Sequence, residues 1–109
     1  MRVRWETKIG SDAFNSTYLT SITIPSSVTE IGDRAFASNS KLKSVTLSEG
    51  LKKIGSEVFP STLTELTLPD SVESISEDAF KNCKFDVTYK GEVYFPELYK
   101  ELYAEINGQ

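Results

Sequence analysis

Hydroxyl side chains are the chemistry-bearing residues that recur regularly in this sequence. Thr23, Thr46, Thr67 and Thr88 stand at equivalent places, each preceded at two residues by Ser21, Ser44, Glu65 or Asp86, and Thr20, Lys43 and Thr64 lie one residue earlier again. Such rows can hydrogen-bond a partner's surface, but nothing beside them could activate a nucleophile. The chain has no histidine, which removes the commonest general base and metal ligand. Its single cysteine, Cys83, can build neither an intramolecular disulfide nor a thiolate metal site, and reads as a buried filler. The glycines are dispersed and make no phosphate cradle. Glu97, Glu101 and Glu105 read as the wet side of a helix and not as a carboxylate site. The expectation is a non-enzyme with no catalytic residues, no metal and no cofactor.

The elements that position these rows come from a repeat. Ile31-Gly32-Asp33-Arg34-Ala35-Phe36 returns as Ile9-Gly10-Ser11-Asp12-Ala13-Phe14, as Ile54-Gly55-Ser56-Glu57-Val58-Phe59 and as Ile75-Ser76-Glu77-Asp78-Ala79-Phe80. The four Phe positions are 22, 23 and 21 residues apart, a period that belongs to stacked repeat architectures.

Each unit has four parts. Leu42, Val45 and Leu47 mark a strand with one face buried, matched by Leu19, Ile22, Ile24 and by Leu63, Leu66, Leu68. A turn follows at Pro25-Ser26-Ser27, Ser48-Glu49-Gly50 and Pro69-Asp70-Ser71, where Pro ends the strand because it cannot donate a ladder hydrogen bond. The third part is a short extended segment, Val28 to Ile31 and its equivalents. The Gly at 10, 32 and 55 then permits a sharp turn, and Ser11, Asp33 and Ser56 stand where they would cap a short helical turn whose buried anchor is the Phe.

The two ends depart from this pattern. Residues 1–8 read as a partial coil, in which Val3 and Trp5 alternate with Arg2 and Arg4 as a short strand that lids the first coil. After Phe85-Asp86-Val87-Thr88-Tyr89, Lys90-Gly91 turns the chain into Val93-Tyr94-Phe95 as a hairpin. Pro96 opens a helix running to Ile106 with Leu98, Leu102 and Ile106 as its apolar stripe, and Asn107-Gly108 stops it. The chain of 109 residues thus reads as one domain: the partial coil 1–8, repeats over 9–90 and a cap over 91–109.

Charge narrows the partners. Twelve basic against sixteen acidic residues leave a formal charge of −4, with no footprint for nucleic acid or an anionic membrane surface. No apolar stretch is long enough to insert in a membrane, and Met1 to Trp5 lack the apolar run of a signal peptide. Lys8, Glu30 and Lys53 alternate in sign along one column, and Lys52 opposes Glu73 in the next, which reads as a solvated, register-setting face. Asn15-Ser16-Thr17 fits the N-glycosylation triplet, relevant only in a eukaryotic secretory route.

The pattern Leu-x-x-Ile-x-Leu-Pro-x-x-Val-x-x-Ile-Gly-x-x-Ala-Phe, carried by Leu19 to Phe36, resembles the BspA-like leucine-rich repeats, also called the Treponema pallidum type. The resemblance covers about residues 9–89. It implies an α/β fold: a right-handed solenoid of about four coils with short parallel strands and short helical turns, closed here by the hairpin and helix. It also implies a role in protein–protein contact, often adhesion at a bacterial surface, and hence an extracellular or cell-surface setting. Two departures stand out. The family often has Cys three residues after the Phe, where this chain has Thr17, Asn39 and Cys83, and the third unit shortens to Pro60-Ser61-Thr62-Leu63.

The candidate partner-binding face is therefore Thr20, Ser21, Thr23, Lys43, Ser44, Thr46, Thr64, Glu65, Thr67, Asp86 and Thr88. Its first reading is a docking face for a protein partner, such as a host or matrix protein, in a bacterial cell-adhesion module. A structural spacer or self-associating unit of a larger protein, in the cytoplasm or outside it, is the second. A glycan- or ice-binding solenoid is the third.

Overall fold

The computed structural model describes residues 7–14 and 18–108. The expected N-terminal lid of Val3 and Trp5 and the Asn15-Ser16-Thr17 triplet lie outside the described residues. The chain winds through coils that each contribute a longer and a shorter strand. The longer ones are β2 (Ser21–Ile24), β4 (Ser44–Leu47), β6 (Glu65–Leu68) and β8 (Asp86–Tyr89); the shorter are β1 (Lys8–Ile9), β3 (Glu30–Ile31), β5 (Lys53–Ile54) and β7 (Ser74–Ile75). The shorter strands form one parallel sheet in the order β1-β3-β5-β7. Lys8, Glu30 and Lys53 fall in register along it, and the Lys8 ammonium lies 3.3 Å from the Glu30 carboxylate. The longer strands pair as β2-β4 and, separately, β6-β8. The result is a β-solenoid of about four turns, as the repeat period predicts.

Burial explains why the coils stack. A single coil has too few residues to enclose an apolar interior, so its edges are hidden only by its neighbours. Ile9, Ile31, Ile54 and Ile75 form one buried column, and Ile24, Leu68 and Tyr89 belong to another. The Phe anchors build a third. Phe14 and Phe36 stack with ring centroids 5.4 Å apart, Phe59 and Phe80 with centroids 5.9 Å apart, and Phe36 is fully enclosed. The turns that carry these anchors also bond from coil to coil: the amide of Phe14 donates to Ala35 and that of Phe36 to Val58.

These corners differ from the expected short helical turns. Asp12, Arg34 and Glu57 adopt positive φ values of 59°, 55° and 51°, so each corner is a tight turn that cannot propagate as a helix. Among the described residues Asp33 caps no amide of its own coil; its Oδ1 accepts from the amide of Ser56 in the next coil at 2.9 Å. Gly32 and Gly55 likewise serve stacking and not a special φ. A Cβ placed on Gly32 would lie 2.7 Å from the Ser11 nitrogen and 2.9 Å from the Gly10 carbonyl carbon, and one on Gly55 would lie 2.9 Å from the Asp33 nitrogen. The fourth corner accommodates Ser76 by slipping one residue. There Glu57 donates to Asp78, whereas Asp12 and Arg34 donate to Asp33 and Ser56. Ser76 Oγ shares a 2.6 Å hydrogen bond with Ser56 Oγ.

The place three residues after each Phe also works between coils. Asn39 is fully buried, and its Nδ2 donates to the carbonyl of Phe14 at 2.7 Å and to that of Phe36 at 2.8 Å. Cys83 does the equivalent one coil pair later, its thiol pointing at the Phe59 carbonyl 3.5 Å away. Thr62, in the shortened third unit, donates to the carbonyls of Asn39 and Leu42.

After β8 the chain turns at Lys90 and Gly91, with φ of 50° and 81°, into β9 (Glu92–Tyr94), which pairs antiparallel with β8. This strand begins one residue earlier than the Val93-Tyr94-Phe95 expected. The helix also divides: Pro96–Leu98 makes a single 3₁₀ turn, and α1 (Tyr99–Asn107) follows and ends at Gly108 with φ 73°. Leu102 and Ile106 of α1 are buried, and Asn107 Oδ1 accepts from the Ile75 amide at 3.2 Å, on the outer edge of β7.

Three stability outcomes follow from this stacking. Phe36→Ala, which empties the centre of the anchor column, should lower unfolding free energy by about 3–5 kcal/mol in urea denaturation. Gly32→Ala should destabilise by about 1–3 kcal/mol because its new methyl meets backbone that cannot swing aside. Gly10→Ala, where no described atom lies within 4 Å of the added Cβ, should stay within about 0.5 kcal/mol of the parent.

Candidate binding face

The longer strands bring the hydroxyl rows together as the repeat predicts. Ser21 sits opposite Ser44 and Thr23 opposite Thr46 in the β2-β4 ladder; Glu65 sits opposite Asp86 and Thr67 opposite Thr88 in the β6-β8 ladder. Neighbours in such a ladder stand about 4.8 Å apart. Thr20, Lys43 and Thr64 run alongside, and Lys43 donates its amide to Thr20 at 2.9 Å. Every one of these residues is exposed except Thr88, which is half-buried. The inward residues of the same strands, Ile24, Val45, Leu66, Leu68 and Val87, are buried. Alternation along the strand therefore holds the outward side chains on a wall whose other face is the core.

Two features of the face depart from a uniform ladder. Strands β4 and β6 lie side by side without a paired register, and the Thr64 amide reaches the Lys43 carbonyl only at 3.5 Å. The chain takes six residues from Phe36 to Leu42 but only four from Phe59 to Leu63, and the ladder loosens where this shorter connection through Pro60 enters β6. The second feature is the juxtaposition of Glu65 and Asp86, two exposed like charges in register, an arrangement that disfavours the pair.

Sequence reasoning missed where the face ends. Because β9 runs back along β8, Val93 falls opposite Thr88 and extends the threonine row by an apolar residue. Phe95 follows on the same side two residues later. Both are 48% exposed. The row of Lys43 and Thr64 does not continue, because its next position is the buried Phe85. The signal lay in the alternation of Val93 and Phe95 after the Lys90-Gly91 turn.

Elsewhere, a cleft of about 620 Å³ opens between the last coil and α1, floored by Phe80, Tyr99 and Tyr103 with Lys81 and Lys100 at its rim. Tyr99 is committed to structure there. Its hydroxyl donates to the Phe85 carbonyl at 2.5 Å, and burial followed by the nearby Cys83 and Asp86 raises its pKa. Among the described residues, no group of three or more His, Cys, Asp or Glu is arranged to hold a metal ion. Nor is any described helix long and apolar enough to cross a membrane.

The sequence profile described as a BspA type leucine rich repeat region (6 copies) matches residues 6–101. Comparison with curated protein sequences finds no match. A leucine-rich repeat protein from Bacteroides capillosus is similar in structure with a TM-score of 0.69 and 38% identity, over 78% of this chain and 64% of that one. The pneumococcal vaccine antigen PcpA gives a TM-score of 0.71 and 30% identity over 82% of this chain and 26% of the antigen. A leucine-rich repeat protein of T. pallidum gives 0.55 and 28% over 72% of this chain and 49% of that one. The chain thus spans less than two thirds of the solved structures it resembles.

Cys83 lies outside this face, and its environment defines its reactivity. Burial pushes its thiol from an ordinary 9.0 up to about 11, and the thiolate is the reactive form. At pH 8 the folded protein should react with iodoacetamide roughly 100-fold or more slowly than the urea-unfolded chain. Mass spectrometry of alkylated protein checks this, and equal rates in the two states would show that the thiol is open to solvent.

Proposed function

Because the chain belongs to the BspA-type leucine-rich repeat family, we propose that it is a non-catalytic protein-binding module whose outward strand face docks a protein partner, as an adhesive element at a bacterial cell surface. The observation that carries this reading is the exposed set of Thr and Ser side chains on consecutive coils. These residues leave the core to their inward neighbours and take no part in the hydrogen bonds of the corners. Threonine suits such a wall because its branched side chain is already restricted in a strand, so little freedom is lost when a partner covers it. Similarity to a pneumococcal vaccine antigen supports the extracellular setting.

A protein is favoured over ice or another regular lattice by the break between β4 and β6, which interrupts the array. An irregular partner can follow such a step. The charges beyond it, Glu65 and Asp86, then select a partner carrying a cation at that point.

Replacing Thr46 and Thr67 together with Arg should weaken capture by an array of immobilised host and matrix proteins at least about tenfold. Both sites are exposed, so the melting temperature should move by no more than about 2 °C. Undiminished capture by the folded double variant would place the contact on another face.

A further inference from the structure

The solenoid ends its longer-strand wall at β9, and the far edge of that strand is open. The two positive φ values at Lys90 and Gly91 define a two-residue hairpin turn, in which the flanking Tyr89 and Glu92 exchange hydrogen bonds. Bonded and non-bonded pairs alternate in an antiparallel ladder. Val93, opposite Thr88, is therefore a non-bonded pair toward β8 and directs its own N–H and C=O away from the sheet. No turn or loop hydrogen bond among the described residues takes them up. The carbonyl of Phe95, by contrast, accepts from Leu98 at 2.7 Å.

Natural edge strands are usually blunted by charge, proline or a covering element. Here Glu92 and Pro96 bound the strand, and between them its outward side carries the half-exposed Val93 and Phe95. Its inner side is acidic. Glu92, Tyr94 and Glu105 share a depression with Tyr89 and Lys90. Burial, then Glu105 and Glu92, push the Tyr94 hydroxyl above its ordinary pKa. Lys90 is the one cation among the described residues lining this depression, its ammonium 5.3 Å from the Tyr89 ring centroid. No ion pair among the described residues engages Glu92 or Glu105. Glu105 also sits in the last turn of α1, where the helix dipole disfavours a negative charge and no basic residue offsets it. Glu101 and Glu97, both exposed, continue the stripe at four-residue intervals.

We propose that the free edge of β9 receives an extended segment of a partner protein in which apolar and basic residues alternate. Its backbone exchanges hydrogen bonds with Val93, adding a strand to the β6-β8-β9 sheet. Apolar side chains of the segment pack beside Val93 and Phe95, and the basic ones on its other face meet Glu92 and Glu105. A second copy of this chain fits the edge poorly, because two-fold pairing would bring two acidic α1 faces toward each other. This edge adjoins the end of the threonine row at Val93, but its occupant is read from different atoms, the outward backbone of Val93 and the acidic inner side.

Fluorescence anisotropy with a labelled seven-residue peptide of alternating Val and Lys tests it on the full chain. The peptide should bind saturably and lose about tenfold or more in affinity at 0.5 M salt, while a Val/Glu peptide should not bind. Val93→Pro, which removes the outward N–H of an edge strand and no ladder hydrogen bond toward β8, should abolish binding with an unchanged melting temperature. Glu92→Lys with Glu105→Lys should reverse the preference to the Val/Glu peptide, a readout independent of the proline variant. No binding of the Val/Lys peptide, or binding that survives both variants, would overturn the proposal. So would sedimentation showing a dimer of the parent chain that Val93→Pro dissociates, since the edge would then belong to a second copy.

Discussion

Close approach of one coil's backbone to the next at the Gly corner is the constraint on which the rest of the structure depends. Gly32 and Gly55 leave no room for a methyl group, so successive corners sit near enough for their amides to bond across the gap. That spacing in turn sets the distance between the Phe rings and fixes the register of the shorter strands. Asn39 and Cys83 secure the same gap from the far side of the anchor by donating to the carbonyl of the preceding Phe. Polar and apolar groups therefore act on one quantity, the rise from coil to coil.

This division of labour leaves the outward face of the longer strands without a task in folding. The corners and the inward columns determine stacking, and the exposed rows ride on them at intervals the backbone dictates. Where the chain shortens, between Phe59 and Leu63, the core stays closed and the outer ladder breaks. A change of length is thus absorbed on the surface and in the sheet's register, while the interior keeps its columns. The same logic governs the C-terminal end. There, β9 continues the outer wall and α1 lays Leu102 and Ile106 into the core, so the two walls of the solenoid end differently.

Much of this was legible in the sequence because a repeat reports its own register. Once the four Phe residues were aligned, the inward columns, the threonine row and the sign alternation of Lys8, Glu30 and Lys53 followed from position alone. What stayed hidden depended on distances between coils. Gly32 reads as a turn residue until the neighbouring backbone is seen 2.7 Å from its missing Cβ. Asp33 and Ser56 look like helix caps because their local order suits caps, yet the left-handed φ of Arg34 and Glu57 ends any helix and Asp33 bonds across to Ser56. The slip at Ser76 and the break before β6 arise from small differences in length and side-chain volume that no single unit displays. The apolar end of the face at Val93 and Phe95 needed the antiparallel return of β9 to come into view.

Amide hydrogen exchange of the chain, free and bound to a partner captured by the exposed face, bears most directly on whether scaffold and recognition are separate. The amides of Phe14 and Phe36, which bond from corner to corner, should already be protected in the free protein and change little on binding. New protection should fall along β4, β6 and β8. Protection that instead appeared at the Gly32 to Phe36 corner, with the longer strands unchanged, would contradict the account.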